Sequence, residues 1–512
     1  MTTFPRAGWR LDAAVFLSGA ALMGLEIVGS RVLAPVFGTS LFVWGALITT
    51  FLAALALGYA FGGRLADRRP DPGMLAALLA CSGILLFAVF SSPQVLLAAL
   101  GRASIPERFR PLVAAVILFG PPSVLMGMVT PFAVRLAAKE IATVGAAAGR
   151  LSALSTAGSI LGTFATAFFL IPAFATRPIL FGLGATLLIA SLLVPAPRSV
   201  ARFVLVSLLA IGGAVSYFAM PSDTGSPEPA GKVVYEKETA YHHLRVVDGG
   251  LRRSLYFDAR VQGFIAVRPD LVLTRNYTDG MMLALLFPVR PVKTAVMIGL
   301  GAGMVPTLLS ERAPEIATTS IEIDPEVVET ARRFFRYTPG ANSRVLVGDG
   351  RRELDRQVPA ADVIFVDAYF ADSLPFHLVT KEFFELCHRK LPPDGVLAMN
   401  FGGLLTGRRN VLFWAAVKTV RLVFPRTYIF SSELASGRAT FSSNAILIAT
   451  RSPDGLDRAT ISDRAAVLAK KLSRPPVVDW ANELYDGELK IGDVPVLTDA
   501  YAPTDALQNL TR

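Results

Sequence analysis

Four short apolar runs between Thr294 and Asp367 each stop at a glycine or a carboxylate: TAVMIGLGAG at 294–303, TSIEID at 319–324, VLVGDGRREL at 345–354 and ADVIFVD at 361–367. Runs of this kind, bounded by turn residues, read as buried strands. Helical stretches separate them, and strand–helix alternation implies a parallel sheet covered on both faces. Strands are expected near 294–299, 318–323, 344–348, 362–367, 395–400, 426–431 and 443–449. Their polar tips then fall on the C-terminal edge, where an open α/β sheet receives a nucleotide-like ligand.

Chain order suggests the job of each tip. Gly299, Gly301 and Gly303 lie between the first strand and its helix, where glycine lets the backbone approach a ligand closely. Glu322 ends the second strand about 20 residues further on, the spacing of a carboxylate that grips ribose hydroxyls. Asp349 and Gly350 end the third strand, placing a carboxylate where it could hold an adenine amino group. Asp367 ends the fourth, beside the expected position of the reacting atom. A glycine-rich loop alone fits NAD enzymes and S-adenosyl enzymes alike, and any one of these residues could be a strand-end cap. Four at successive strand ends point to a site.

The first half of the chain reads differently. Apolar residues make up 53% of the 512 positions, and the excess lies before Pro221. A membrane-crossing helix needs about 20 mostly apolar residues. About seven stretches qualify: 12–37, 41–63, 73–100, 112–137, 151–173, 178–195 and 201–220. The first is too long, and too closely followed by others, for a cleavable signal peptide. Gly19, Gly24, Gly29, Gly158 and Gly162 would let these helices pack closely as one bundle. Pro121, Pro122 and Pro131 are expected to kink the fourth span. Glu26 and Arg31 stand within or at the end of the first span; ionisable groups at membrane depth are functional candidates, with a structural ion pair or a snorkelling arginine as the bland reading.

The net charge of +10 fits arginine in cytoplasmic loops better than nucleic-acid binding, so no nucleic-acid partner is expected. Loop arginines put the N-terminus in the cytoplasm. Seven spans would then put the C-terminal half outside, in conflict with a cytosolic co-substrate; the 73–100 segment, with Ser91, Ser92 and Pro93, is where the count is least secure. Cys81 and Cys387 make no disulfide framework, and four histidines make no metal site.

The expected organisation is a multi-span α-helical membrane bundle at 1–220, a Pro/Gly/Ser linker at 221–231, a small β-rich subdomain at 232–290, an α/β Rossmann-like domain at 291–455 and an irregular C-terminal extension at 456–512. In the β-rich part, alternation and a turn at Asp248–Gly250 suggest hairpins.

The second half resembles the spermidine synthase (polyamine aminopropyltransferase) family over about 235–400. YFDARVQG, with Gln262, resembles that family's LDG-x-x-Q stretch; Tyr277-Thr278-Asp279 falls on its Tyr-His-Glu; IGLGAG on its Gly-rich loop; IEID and GDG on its nucleoside-binding motifs; and VDAYFADSLPFHLVTKEFF on its catalytic loop. GLEIVGSRVLAPVFG and the late VLTDAYAP look like the membrane-fused branch. The resemblance implies a small β domain before a class I methyltransferase-type sheet. It implies decarboxylated S-adenosylmethionine as co-substrate, with no metal, and an amine such as putrescine or another polyamine as acceptor. It also implies residence in the inner membrane with the soluble domain in the cytoplasm; a homo-oligomer is compatible with it. Asp367 would take the amine proton, Tyr277 would hydrogen-bond the amine, Asp279 or Asp372 would anchor a distal ammonium, and Tyr369 and Phe370 would wall the pocket. Gln262, Gly299, Gly301, Gly303, Glu322, Asp349 and Gly350 would hold the nucleoside. Two departures bear on the acceptor: Ala302 replaces the Asp of the Gly-rich loop, and Phe370 the second Asp of the catalytic loop. Three other readings stay open: an S-adenosylmethionine methyltransferase acting at the membrane, a transporter or receptor that senses a polyamine or nucleoside, and an NAD-type oxidoreductase.

Overall fold

The structure, a computed structural model, describes residues 8–37, 41–91, 96–97, 99–100, 105–138, 140, 143–195, 231–239, 241–258, 260–267, 276–369, 374–402, 411–431, 434, 444–504 and 507. The chain divides into two compact units, one of residues 1–228 with 237–240 and one of 229–236 with 241–512.

The first unit is helical: α1 (Gly8–Phe37), α2 (Leu41–Arg68), α3 (Pro72–Ser91), α4 (Arg110–Ala137), α5 (Val144–Ala165), extended by a π-helical turn at Thr166–Leu170, and α6 (Thr176–Leu193). Among the described residues five helices are long and apolar enough to cross a membrane; α3, of 20 residues, is a further apolar helix that overlaps the expected 73–100 span. The 201–220 candidate and most of the 221–231 linker lie outside the described residues. Small residues set the closest approaches: a Cβ on Gly158 would stand 2.0 Å from the Phe16 carbonyl oxygen, and one on Gly162 2.2 Å from that of Ala20. Close backbone packing of this kind needs glycine on the facing stripe. Helix α4 carries Pro121, Pro122 and Pro131 within its length. Glu26 lies half-buried on α1, and Arg31 on the same helix donates to the Thr239 carbonyl oxygen at 2.7 Å, both residues belonging to the first unit.

The second unit opens with a four-stranded sheet of β1 (Lys232–Glu238), β2 (His243–Asp248), β3 (Arg252–Phe257) and β4 (Arg260–Ala266). Strands β2, β3 and β4 pair antiparallel, with a bulge at Leu255/Tyr256. Leu244, Val246, Leu255 and Phe257 pack on Ala302, Val327 and Phe335 of the following domain. Helix α7 (Tyr277–Met281) then leads into a seven-stranded sheet: β5 (Thr294–Ile298), β6 (Ala317–Glu322), β7 (Arg344–Val347), β8 (Val363–Val366), β9 (Val396–Gly402), β10 (Arg426–Phe430) and β11 (Asn444–Thr450), in the order β10-β11-β9-β8-β5-β6-β7.

The pairs β5–β6, β6–β7, β5–β8 and β8–β9 are parallel, as the helical connections require. The expectation of a wholly parallel sheet is corrected at its end: β11 pairs antiparallel with both β9 and β10. An alternating apolar run can pair in either direction, so the strand pattern alone does not set this one.

Alternate residues of β8 serve two cores. Ile364 and Val366 face Leu354 of α10 (Gly350–Gln357), Phe383 and Phe384 of α11 (Lys381–Lys390) and Trp414 of α12 (Val411–Val420). Val363 and Phe365 share the other core with Leu309 of α8 (Met304–Arg312), Ile461 of α13 (Arg458–Leu472) and Trp480 of α14 (Pro476–Asn482). Helix α9 (Pro325–Phe334) follows β6, its entry capped by Asp324, whose carboxylate accepts the Glu326 N–H at 2.9 Å. The end of the chain is less irregular than its composition suggests. Residues 476–482 form α14, and Leu497 is fully buried in the core of α10–α12.

Candidate active site

The chain runs outward from β5 to β6 and β7 and returns to β8 on the other side of β5. The strand ends flanking this switch point open a crevice, the usual ligand position in such sheets. A pocket occupies it, lined by Gly299 and Gly301 after β5, Glu322 at the end of β6, Asp349 and Gly350 after β7 and Asp367 after β8. Gln262 and His242 close it from the small sheet, and the turn at Pro375–Leu378 forms the opposite wall.

The glycine-rich loop needs glycine for different reasons at each position. Gly299 has φ 85°, and a Cβ there would sit 2.2 Å from the Asp367 carbonyl oxygen. Gly301 has φ 54° with nothing nearer to its Cβ position than the Gln262 carbonyl oxygen at 3.8 Å, so the loop leaves open space toward the pocket. Gly303 is the left-handed cap of α8 and packs against Tyr337; it does not line the pocket, so its expected ligand role becomes one of helix entry. Ala302 is buried against Gly263 of β4.

Glu322 is buried and accepts backbone hydrogen bonds from Leu300 N–H (2.9 Å) and Asp324 N–H (3.1 Å). Burial raises its carboxyl above the ordinary range against the pull of those bonds. The carboxylate thus ties the glycine-rich loop to the end of β6 while fronting the pocket. Asp349 caps α10 through Arg352 N–H (2.9 Å), and its other oxygen meets Nε2 of His377 at 2.9 Å. The histidine contact holds the Asp349 carboxyl below the ordinary range.

Asp367 is held by two side chains. Its Oδ1 accepts from Asn400 Nδ2 at 2.9 Å, and the Tyr277 hydroxyl donates to the same carboxylate. Burial nevertheless raises the Asp367 carboxyl. Burial and the nearby carboxylate push the Tyr277 phenol well up, so it stays a donor. Tyr277 is not itself a lining residue. Tyr369 lines the pocket; its hydroxyl donates to the Asn400 carbonyl oxygen (2.8 Å) and accepts the Gly402 N–H (2.8 Å).

Asp279 is placed elsewhere. It is fully buried, and both its oxygens accept from Arg474 at 2.7 Å. It also closes a capping box with Asn276 at the start of α7. A carboxylate so engaged has no free face for a substrate ammonium. Asp372 and Phe370 lie outside the described residues.

Three residues at or behind the pocket escaped the sequence reading. Asn400, near the end of β9, bonds Asp367 from the neighbouring strand and was overlooked because asparagine does not ionise. His377 lies inside the loop that follows Asp367. His242 stacks on Phe257 with ring centroids 4.2 Å apart and planes 9° apart, and the adjacent pair His242–His243 carries no local motif.

The pocket combines an open glycine turn with three carboxylates, Glu322, Asp349 and Asp367. Residues 264–432 match the spermine/spermidine synthase domain. A polyamine aminopropyltransferase of Vibrio vulnificus is 27% identical over 317 residues, covering 59% of this chain and 100% of that protein. One from Chromobacterium violaceum is 34% identical over 134 residues, covering 26% of this chain and 50% of that protein. The crystal structure of a probable spermidine synthase from Corynebacterium glutamicum aligns with a TM-score of 0.38 at 18% identity, covering 51% of this chain and 98% of that one.

Proposed function

We propose, starting from a chain whose second half belongs to the spermidine synthase (polyamine aminopropyltransferase) family, that the protein moves an aminopropyl group from decarboxylated S-adenosylmethionine to an amine, and does so as a multi-pass membrane protein. The observation that carries the chemical reading is Asp367, a partly buried carboxylate at the end of β8 held by Asn400 and Tyr277 and lining a pocket that also contains Glu322 and Gly301.

The co-substrate supplies a carbon activated by its bond to a sulfonium. The amine nitrogen forms the new N–C bond as the C–S bond breaks; the electron pair leaves on sulfur, giving methylthioadenosine, and one proton must leave nitrogen. An alkylammonium with a pKa of about 10.4, as in lysine, is no nucleophile at neutral pH. A carboxylate of raised pKa is a better proton acceptor than an exposed one, and holding the nitrogen in line contributes much of the rate. Asp367 takes that proton in this reading, with Tyr277 fixing the orientation of the carboxylate. Glu322 and Asp349 hold the nucleoside.

Putrescine or another polyamine is the proposed acceptor class. The apolar helices of the first unit support residence in a lipid bilayer, and a cytosolic co-substrate places the second unit in the cytoplasm.

The test supplies decarboxylated S-adenosylmethionine with a panel of amines, and S-adenosylmethionine in parallel. Methylthioadenosine release that depends on an amine is the expected result. S-adenosylhomocysteine release instead, with no methylthioadenosine under any amine, would replace this reading with a methyltransferase.

A further inference from the structure

The late stretch VPVLTDAYAP lies beyond residues 264–432, which match the synthase domain, yet it is built into the scaffold of the pocket. Leu497 anchors it. This side chain is fully buried, its N–H donates to Thr419 Oγ1 at 2.9 Å, and its carbonyl oxygen accepts the Lys381 N–H at 2.8 Å. Two residues on, Asp499 takes both prongs of the Arg351 guanidinium at 2.6 and 2.7 Å. The Thr380 hydroxyl donates to the same carboxylate at 2.8 Å, and the Asp499 N–H donates to Glu382 at 2.9 Å.

Arg351 connects this cluster to the pocket. It sits on α10, two positions after Asp349, and its Nη1 also donates to the His377 carbonyl oxygen at 3.3 Å. The His377 ring meets Asp349 at 2.9 Å, and both residues line the pocket. Contacts therefore run without a gap from Asp499 through Arg351 to the backbone of the pocket wall, and from its ring to a pocket carboxylate.

Isolated surface ion pairs do little. This pair differs in being two-pronged, shared with Thr380 and Glu382, and fixed at one end by a helix and at the other by a segment anchored in the core. Asp349 and Glu382 are the other carboxylates near enough to act on Arg351. A guanidinium released from Asp499 has Asp349 as an alternative partner, in competition with His377 and with anything bound there.

We propose that Asp499 is a positioning residue: by holding Arg351 it keeps the Pro375–Leu378 turn in place and His377 on Asp349, and so sets nucleoside affinity without touching the nucleoside. The affinity part rests on the function proposed above; the mechanical part does not.

The test uses the full chain. In nucleoside-free protein, Asp499→Asn should speed hydrogen exchange of the 374–380 amides about tenfold, leaving β5 and α13 unchanged, because only local opening is released. Methylthioadenosine should bind about tenfold more weakly, and the variant should add nothing in a His377→Ala background. Asp499→Glu, which keeps the charge, should recover part of both effects. Unchanged exchange at 374–380, exchange raised everywhere alike, or equal weakening with and without His377 would overturn the proposal. A wild-type chain that binds no methylthioadenosine would sink the proposed function instead, while the exchange measurement still decides the role of Asp499.

Discussion

Asn400 donates from Nδ2 to Oδ1 of Asp367 at 2.9 Å, while its own Oδ1 accepts from Asn444 Nδ2 at 2.9 Å. One polar chain thus runs from Asn444 of β11 through Asn400 of β9 to Asp367 at the pocket. The arrangement fixes which way the Asn400 amide points, and hence that Asp367 receives a donor. A hydrogen bond to a charged group contributes about 1.5–3 kcal/mol. Asn400→Ala should therefore lower turnover about ten- to a hundredfold, since each ~1.4 kcal/mol is tenfold in rate. Methylthioadenosine affinity should stay within about threefold, the nucleoside contacts lying on other residues. Steady-state kinetics beside calorimetry checks this, and an equal loss in both would place Asn400 in binding.

The raised Asp367 carboxyl has two consequences of opposite sign. For activity the ionised form is required, so the rate is lost as pH falls through the raised value. The acid limb of kcat/KM should lie above the ~3.9 of an ordinary aspartate. Asp367→Asn should remove that limb and cost about 10²–10⁴ in turnover, the usual range for a general base. For stability the folded state holds the proton more tightly than the unfolded chain. The residue's contribution is greatest below the ordinary aspartate range and declines as pH rises through the folded value. Asp367→Asn should thus be no less stable than the parent at pH 7. Melting curves and rate profiles across pH decide both parts; an acid limb that survives in the variant belongs to another group.

Glu322 has two tasks that variants can separate. Its carboxylate holds Leu300 and Asp324 N–H groups, and it faces the pocket. Glu322→Ala leaves both donors without their partner, and each unsatisfied buried group costs about 1–3 kcal/mol. Lower melting temperature and lost binding should appear together. Glu322→Gln keeps one acceptor oxygen and loses the other, so it should lose less stability than the Ala variant while binding methylthioadenosine about tenfold more weakly, through loss of a charge-assisted bond to a ribose diol. A Gln variant with parental affinity would take Glu322 out of ligand binding.

The sheet was legible because each strand is a short apolar run with a turn residue or carboxylate at its end, and the order of those ends along the chain sets which residues share an edge. Glu322, Asp349 and Asp367 fall on one pocket for that reason. The direction of β11 was not legible, since alternation carries no polarity. Asp279 was misplaced for a physical reason. Its partner Arg474 lies 195 positions away, and no local pattern announces a long-range ion pair. Asn400 reaches Asp367 across neighbouring strands, a contact that depends on register, which the sequence does not display.

The Asp279–Arg474 pair yields the sharpest contrast between a structural and a substrate-binding carboxylate. Asp279 has no exposed surface, its two bonds to Arg474 are 2.7 Å each, and its neighbour Gly280 lies directly beneath Trp480. Trp480 Nε1 also donates to the Asn276 carbonyl oxygen at 2.9 Å, so α14 and Arg474 together hold the helix that begins at Tyr277. Removing one member of a buried pair leaves a charge without compensation and costs about 3–5 kcal/mol. Arg474→Ala should lower stability by that order, and Arg474→Lys by less, since one donor replaces a fork. Among molecules still folded, turnover should fall more than nucleoside affinity, because the helix carries Tyr277 to Asp367. Asp279→Asn discriminates the two roles. As half of a structural pair it should reduce melting temperature and leave the KM for the amine unchanged. A selective rise in that KM, at parental stability, would return Asp279 to the substrate.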